Sequence, residues 1–218
     1  MEQNKSIDKG NDREVGGQNS QHKDHNKIFA KVGIFLGVLV LFFVAWMVVS
    51  HLQAQFEYRG VKFEKVKEIA PYRTSIPLTS GSGITGNAVQ KIDYSFYMRN
   101  DPRKLEKVLF EGEINFKKIM VVKSKEEFKC EGYGVIGIAN LVQLYQAIGI
   151  KVIKDETAEC GNDRSYMLLE IVSGNETKIE QTAEGCYTMS IRNCEILPAT
   201  ERFMVETFVA INNKIEGN

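Results

Sequence analysis

Few residues in this chain have the types and spacing that chemistry needs. Gly132-Tyr133-Gly134-Val135-Ile136-Gly137 has the GxGxxG spacing of a dinucleotide-binding turn, and Asp155 stands where a ribose-binding acid would follow. The residues ahead of Gly132, Glu126 to Glu131, read EEFKCE, whereas that motif needs an apolar strand running straight into its first glycine. Glycines that simply shape a turn are the expectation. All three histidines, His22, His25 and His51, precede the segment that begins at Phe56. That segment therefore lacks a His general base, a Ser-His or Cys-His nucleophile pair and any zinc site built on His. His22 and His25 sit in a polar tail and read as solvated rather than metal-binding.

An enzyme built on this chain would have to use carboxylates, Arg, Lys, Tyr or Ser. The densest polar clusters are Asp101 with Arg99 and Arg103, and Glu195 with Glu201 and Arg202. Both fall at expected helix starts, where caps and solvated ion pairs are the ordinary use of such residues. The residues thus name no catalytic, cofactor or metal set.

The four cysteines, Cys130, Cys160, Cys186 and Cys194, all lie after Phe56, and no CxxC occurs among them. An even number without that spacing fits structural disulfides in an oxidising compartment. Three pairings are conceivable, and length removes one. Tyr187, Met189 and Ile191 alternate as in a strand, so eight residue steps at about 3.3 Å hold Cys186 and Cys194 roughly 26 Å apart. A disulfide needs Cα atoms about 5.5 Å apart. Cys186 and Cys194 are each expected to reach Cys130 or Cys160, with the choice between those two pairings open. Asn175-Glu176-Thr177 is a glycosylation sequon in a Ser-Gly-Asn turn.

The element that must carry all of this is Val32 to Ser50, VGIFLGVLVLFFVAWMVVS, which holds no charged residue or histidine. As a helix it spans roughly 28 Å, close to the hydrocarbon thickness of a bilayer, and it shows no polar stripe such as a soluble core helix would have. It divides the chain into a disordered polar tail (1–27), a transmembrane helix (28–52) and a globular domain (56–218). A cleaved signal peptide is the rival, but its apolar region would be shorter and would end in a small-residue site better than Val48-Val49-Ser50. Lys27 and Lys31 lie against the helix entry, and no Lys or Arg follows it until Arg59. With the cysteines and the sequon, this places the tail in the cytoplasm and the domain outside. Gly33 and Gly37 form a GxxxG, through which two copies could pair in the bilayer.

The domain reads as mixed α/β of the α+β kind. Phe56–Phe63 alternates on both sides of Gly60, which suits an extended or hairpin segment, and Val89–Met98 alternates cleanly. Pro71, Pro77 and the run Thr79-Ser80-Gly81-Ser82-Gly83 read as a loop. Asp101 should cap a short helix opened by Pro102. Ile114–Val122, Ile150–Ile153, Tyr166–Val172 and Cys186–Ile191 read as strands. A helix stripe runs from Ile138 to Ile148, and another follows Pro198 with Phe203, Met204, Thr207, Phe208 and Ile211 as its buried face.

Net charge is zero, but 56–129 holds 15 Lys/Arg against 10 Asp/Glu, and 130–218 holds 7 against 13. Neither half concentrates the basic face that nucleic acid requires. The runs Tyr97–Arg103 and Gly185–Phe203 resemble stretches of uncharacterised single-pass membrane proteins of archaea with small genomes. The resemblance implies a topology and a source, but no activity or catalytic residue. The chain is expected to be a membrane-anchored extracytoplasmic domain that binds or scaffolds, with the bilayer and other membrane or envelope proteins as partners. An anchored enzyme using the carboxylate and Arg clusters is the alternative.

Overall fold

The computed structural model describes residues 19–52, 54–68, 70–80, 90–124, 126–128, 130–161 and 165–216. It forms two compact units, residues 1–52 and 53–218.

The first unit contains one helix, α1 (Asn19–Leu52). Its stretch Lys31–Val49 is long and apolar enough to cross a bilayer. The helix starts at Asn19 rather than at Ile28, so it takes in the end of the segment expected to be a disordered tail. Residues 1–18, with the rest of that expectation, lie outside the described residues, as do the side chains of His22 and His25. Among the described residues, no atom lies within 4 Å of the place of a Cβ on Gly33 or Gly37.

The second unit is a mixed α/β domain with two sheets. Strands β1 (Gln55–Tyr58), β2 (Val61–Lys65), β3 (Tyr72–Ser80) and β4 (Gln90–Met98) form an antiparallel meander in sequence order. The β1–β2 hairpin turns on Arg59 and Gly60, whose φ values of 52° and 82° supply the positive dihedrals a two-residue hairpin needs. β3 corrects an expectation: Pro77 lies in a strand, not a loop. It tolerates this because β2 pairs with β3 only from Thr74 back to Tyr72, so Pro77 sits past that pairing, with β2 on neither flank. Thr79 and Ser80 of the expected loop likewise lie in β3, and residues 81–89, with its Gly81-Ser82-Gly83, lie outside the described residues.

The second sheet has six strands in the order β5-β9-β10-β8-β6-β7: β5 (Leu109–Glu111), β6 (Ile119–Ser124), β7 (Lys151–Lys154), β8 (Met167–Ser173), β9 (Lys178–Ala183) and β10 (Cys186–Ile191). β10, β8, β6 and β7 run parallel, while β9 opposes β10. The strand expected over Ile114–Val122 is shifted. Its first part is a bent connection held by Tyr187, whose hydroxyl donates to Glu113 O and accepts from Asn115 N.

Two helices fill the space between the sheets. α2 (Tyr133–Ala147) joins β6 to β7 and starts earlier than its stripe suggested, inside the glycine motif itself. α3 (Ile196–Glu216) also begins ahead of the expected Pro198, which is accommodated in the first turn, where no backbone donor is required. On one side α3 sets Phe208 against Phe96 of β4, with ring centroids 5.5 Å apart. On the other it sets Phe203 edge-on to Tyr187 of β10 at 5.3 Å. The expected apolar face is buried except for the half-buried Ile211, but so are Thr200, Glu201, Arg202 and Glu206, because sheets cover α3 on opposite sides. The core is therefore a three-layer β-α-β packing around α3.

Candidate functional site

The glycine motif is built for close approach. Gly132 has φ of 90°, which starts α2 from a left-handed residue. A Cβ on Gly134 would lie 1.8 Å from the carbonyl oxygen of Phe128, and one on Gly137 would lie 2.4 Å from Thr200 Oγ1 of α3. The helix is thus pressed onto the 126–128 segment at its start and onto α3 one turn later. Asp155 accepts from Thr157 N (2.8 Å) and Thr157 Oγ1 (2.7 Å), closing its own turn, and those bonds hold its carboxyl below the usual range. Gly134→Ala should destabilise the fold by about 1–3 kcal/mol through overpacking. A shifted urea midpoint at unchanged m-value would register this; an unchanged midpoint would return the glycines to a ligand role.

Beside the motif lies a cleft of about 610 Å³ between α2 and the C-terminal ends of β6, β7 and β8. Val122 and Ile171 form its floor, Val135, Ile138 and Val142 one wall, and Val152 the other, with Ser124, Glu126, Glu127 and Lys154 among the lining polar residues. The size falls within that of small-ligand sites, and the carboxyl end of parallel strands is where open α/β sheets bind ligands. Val135 remains 71% exposed at this place. The cleft has no periodic signature in the sequence, because its lining comes from five separate segments.

The polar residues singled out in the sequence are placed elsewhere, each in a structural joint. Asp101 caps the 3₁₀ helix Pro102–Lys107 by accepting from Arg103 N, and its carboxylate also takes Arg103 Nε (2.9 Å) and Nη2 (2.7 Å). The Arg103 guanidinium holds its carboxyl below the usual range. That guanidinium also lies over the Phe56 ring at 4.2 Å. Glu201 is fully buried and accepts from Arg99 N (2.6 Å), Asn100 N (2.9 Å) and Asn100 Nδ2 (2.7 Å). Burial pushes this carboxyl up, against the pull of the three donors. Its work is to fasten the end of β4 to α3. Arg99 stacks over Tyr133 at 5.7 Å.

Arg202 pairs with Glu206 at 2.9 Å, and Arg59 from the β1–β2 turn reaches the same carboxylate. Sequence reasoning missed Arg59 and Glu206, since nothing local announces that a hairpin turn will meet a helix so far along the chain. Glu195 accepts from Thr177 Oγ1 and lines a groove of about 360 Å³ with Lys104, Lys107, Arg192 and Glu176. None of the six polar candidates lines the apolar cleft. Among the described residues, no three His, Cys, Asp or Glu side chains gather as a metal site.

The cysteines join as Cys130–Cys194 (Cα atoms 5.4 Å apart) and Cys160–Cys186 (6.0 Å). The strand β10 stands between Cys186 and Cys194, as their separation requires. The first bond ties the segment ahead of α2 to the segment ahead of α3. The second pins the β7–β8 connection near a small cluster of Val121, Ala158 and Leu168. Asn175 is exposed in the β8–β9 turn, while Thr177 of the same sequon is buried.

No family model, no curated protein and no solved structure matches this chain. The class is therefore defined by the molecule alone: a disulfide-linked, mixed α/β domain that follows an apolar helix and carries an aliphatic cleft beside its glycine motif.

Proposed function

We propose that the chain is a single-pass membrane protein with its tail in the cytoplasm and residues 53–218 outside, and that the outer domain binds or scaffolds other membrane or envelope proteins. The observation that carries the binding half is the separation of polar and apolar features. The carboxylate and Arg clusters are engaged in caps and inter-element joints, and none of them reaches the cleft, whose lining is mainly hydrocarbon. A catalytic reading through the Asp101 and Glu201 clusters would need those carboxylates to converge on the cleft. Two cystines and an exposed sequon Asn175 suit an oxidising exterior. Pairing of two copies through Gly33 and Gly37 belongs to the same proposal.

The test is impermeant thiol labelling of intact cells after mild reduction. Cys160, which is itself exposed, should label before lysis. A domain that labels only after lysis would overturn the outer placement.

A further inference from the structure

Asn175 is exposed in the β8–β9 turn, but the hydroxyl two residues on is already in use. Thr177 is 7% exposed, and its Oγ1 accepts from Arg192 N (3.0 Å) and donates to the Glu195 carboxylate. The same turn is held at its start. Gly174 N donates to Ile191 O (3.0 Å), and a Cβ on Gly174 would lie 2.9 Å from Ser190 Cβ. All of these partners fall within residues 190–195.

That clamp is itself a closed piece of backbone. Glu195 N donates to Arg192 O (3.0 Å), Asn193 and Cys194 sit at φ of 47° and 61°, and Cys194 is bonded to Cys130. Thr177 lines a groove of about 360 Å³ with Lys104, Lys107 and Pro198, which has room for a small molecule but not for the active site of another protein. The hydroxyl at the third position of Asn-x-Ser/Thr is part of what a glycosyl-transferring enzyme recognises. A sequon whose hydroxyl is buried and bonded is therefore unreadable until its turn opens. Before the clamp folds none of these contacts exists, because Arg192 lies 15 residues and Glu195 18 residues beyond Thr177. Asn175 is exposed, so a glycan placed early leaves the fold unobstructed.

We propose that Asn175 accepts a glycan only before residues 190–195 close over Thr177, so that glycosylation must precede completion of the Cys130–Cys194 joint. The donor is a lipid-pyrophosphate-linked sugar. Asn175 Nδ2 bonds to C1 of that sugar, the bond from C1 to the phosphate oxygen breaks, and the lipid pyrophosphate and a proton from Nδ2 leave. This rests on the outer placement proposed above and adds to it the order of events.

The test offers the full chain in detergent to one oligosaccharyltransferase and its lipid-linked donor in two states. One is oxidised and folded; the other is reduced, alkylated and diluted from urea. Peptide mass spectrometry reads the occupancy of Asn175, which should be at least tenfold higher in the unfolded chain. Glu195→Ala frees the donor of the Thr177 hydroxyl and keeps the sequon and both cystines. In a chain shown by its urea transition to be folded, it should raise transfer at least threefold, whereas Glu195→Gln, which keeps an acceptor, should not. If the alanine variant fails to fold, the two states of the unaltered chain still decide.

Equal transfer to folded and unfolded chain would overturn the proposal, as would no transfer to either. An unchanged rate in folded Glu195→Ala would overturn the assignment of the block to Thr177. Translation of the full chain into membranes that hold the same enzyme tests the outer placement separately, because Asn4-Lys5-Ser6 is a second sequon, ahead of α1. Glycan on Asn175 is expected there. Glycan on Asn4 instead would refute the outer placement, while the comparison in detergent would still judge the closing of Thr177.

Discussion

Phe203→Ala is expected to cost about 3–5 kcal/mol, enough to consume a large part of a domain's stability. Phe203 is fully buried near the middle of α3 and is ringed by Tyr187, Phe110 and Tyr145, with centroids 5.3, 6.1 and 6.3 Å away. Those three rings come from β10, the short edge strand β5 and α2. Removing the central ring opens a void that none of them can fill without leaving its own element, and the cavity term is largest where collapse is blocked. Urea denaturation of the full chain would measure the loss. A change below about 1 kcal/mol would mean that α3 is not wedged between the layers as described.

Opening the Cys130–Cys194 bond by a double serine substitution is expected to cost about 4 kcal/mol, from the chain entropy of the loop it closes. That bond spans 64 residues of sequence, against 26 for Cys160–Cys186, so the inner bond should matter less, by just under 1 kcal/mol in the same treatment. The outer bond also holds unfavourable backbone. Cys130, Glu131, Asn193 and Cys194 all have positive φ, between 40° and 61°, which non-glycine residues adopt at a cost. Thermal midpoints of the two double-serine variants would rank the bonds. A larger effect from the inner pair would contradict the entropic account.

What could be read from the sequence was local. The apolar run of α1, the hairpin about Gly60, the cap at Asp101 and the reach of Cys186 from Cys194 all follow from near neighbours. β9 could not be read that way: Lys178–Ala183 buries little beyond Ile179 and is a strand because β10 and β5 flank it. Glu201 looked like a helix-start acid, yet its donors sit about a hundred residues earlier, at Arg99 and Asn100. Pro77 argued for a loop because the sequence does not show that β2 stops short of it. The cleft was illegible for the same reason: α2, β6, β7 and β8 are brought together by parallel crossovers, which leave no periodic signature.

The placement of α3 has a consequence for how the domain is made. The helix that separates the two sheets follows every strand in chain order. During synthesis both sheets must therefore wait, each with an uncovered apolar face, until α3 arrives. Cys130, Cys160 and Cys186 are likewise exposed together before Cys194 exists, and the correct partner of the first is the last to appear. The domain thus finishes its core only when α3 is released, and Cys130 must stay unpaired, or be re-paired, for all of that time.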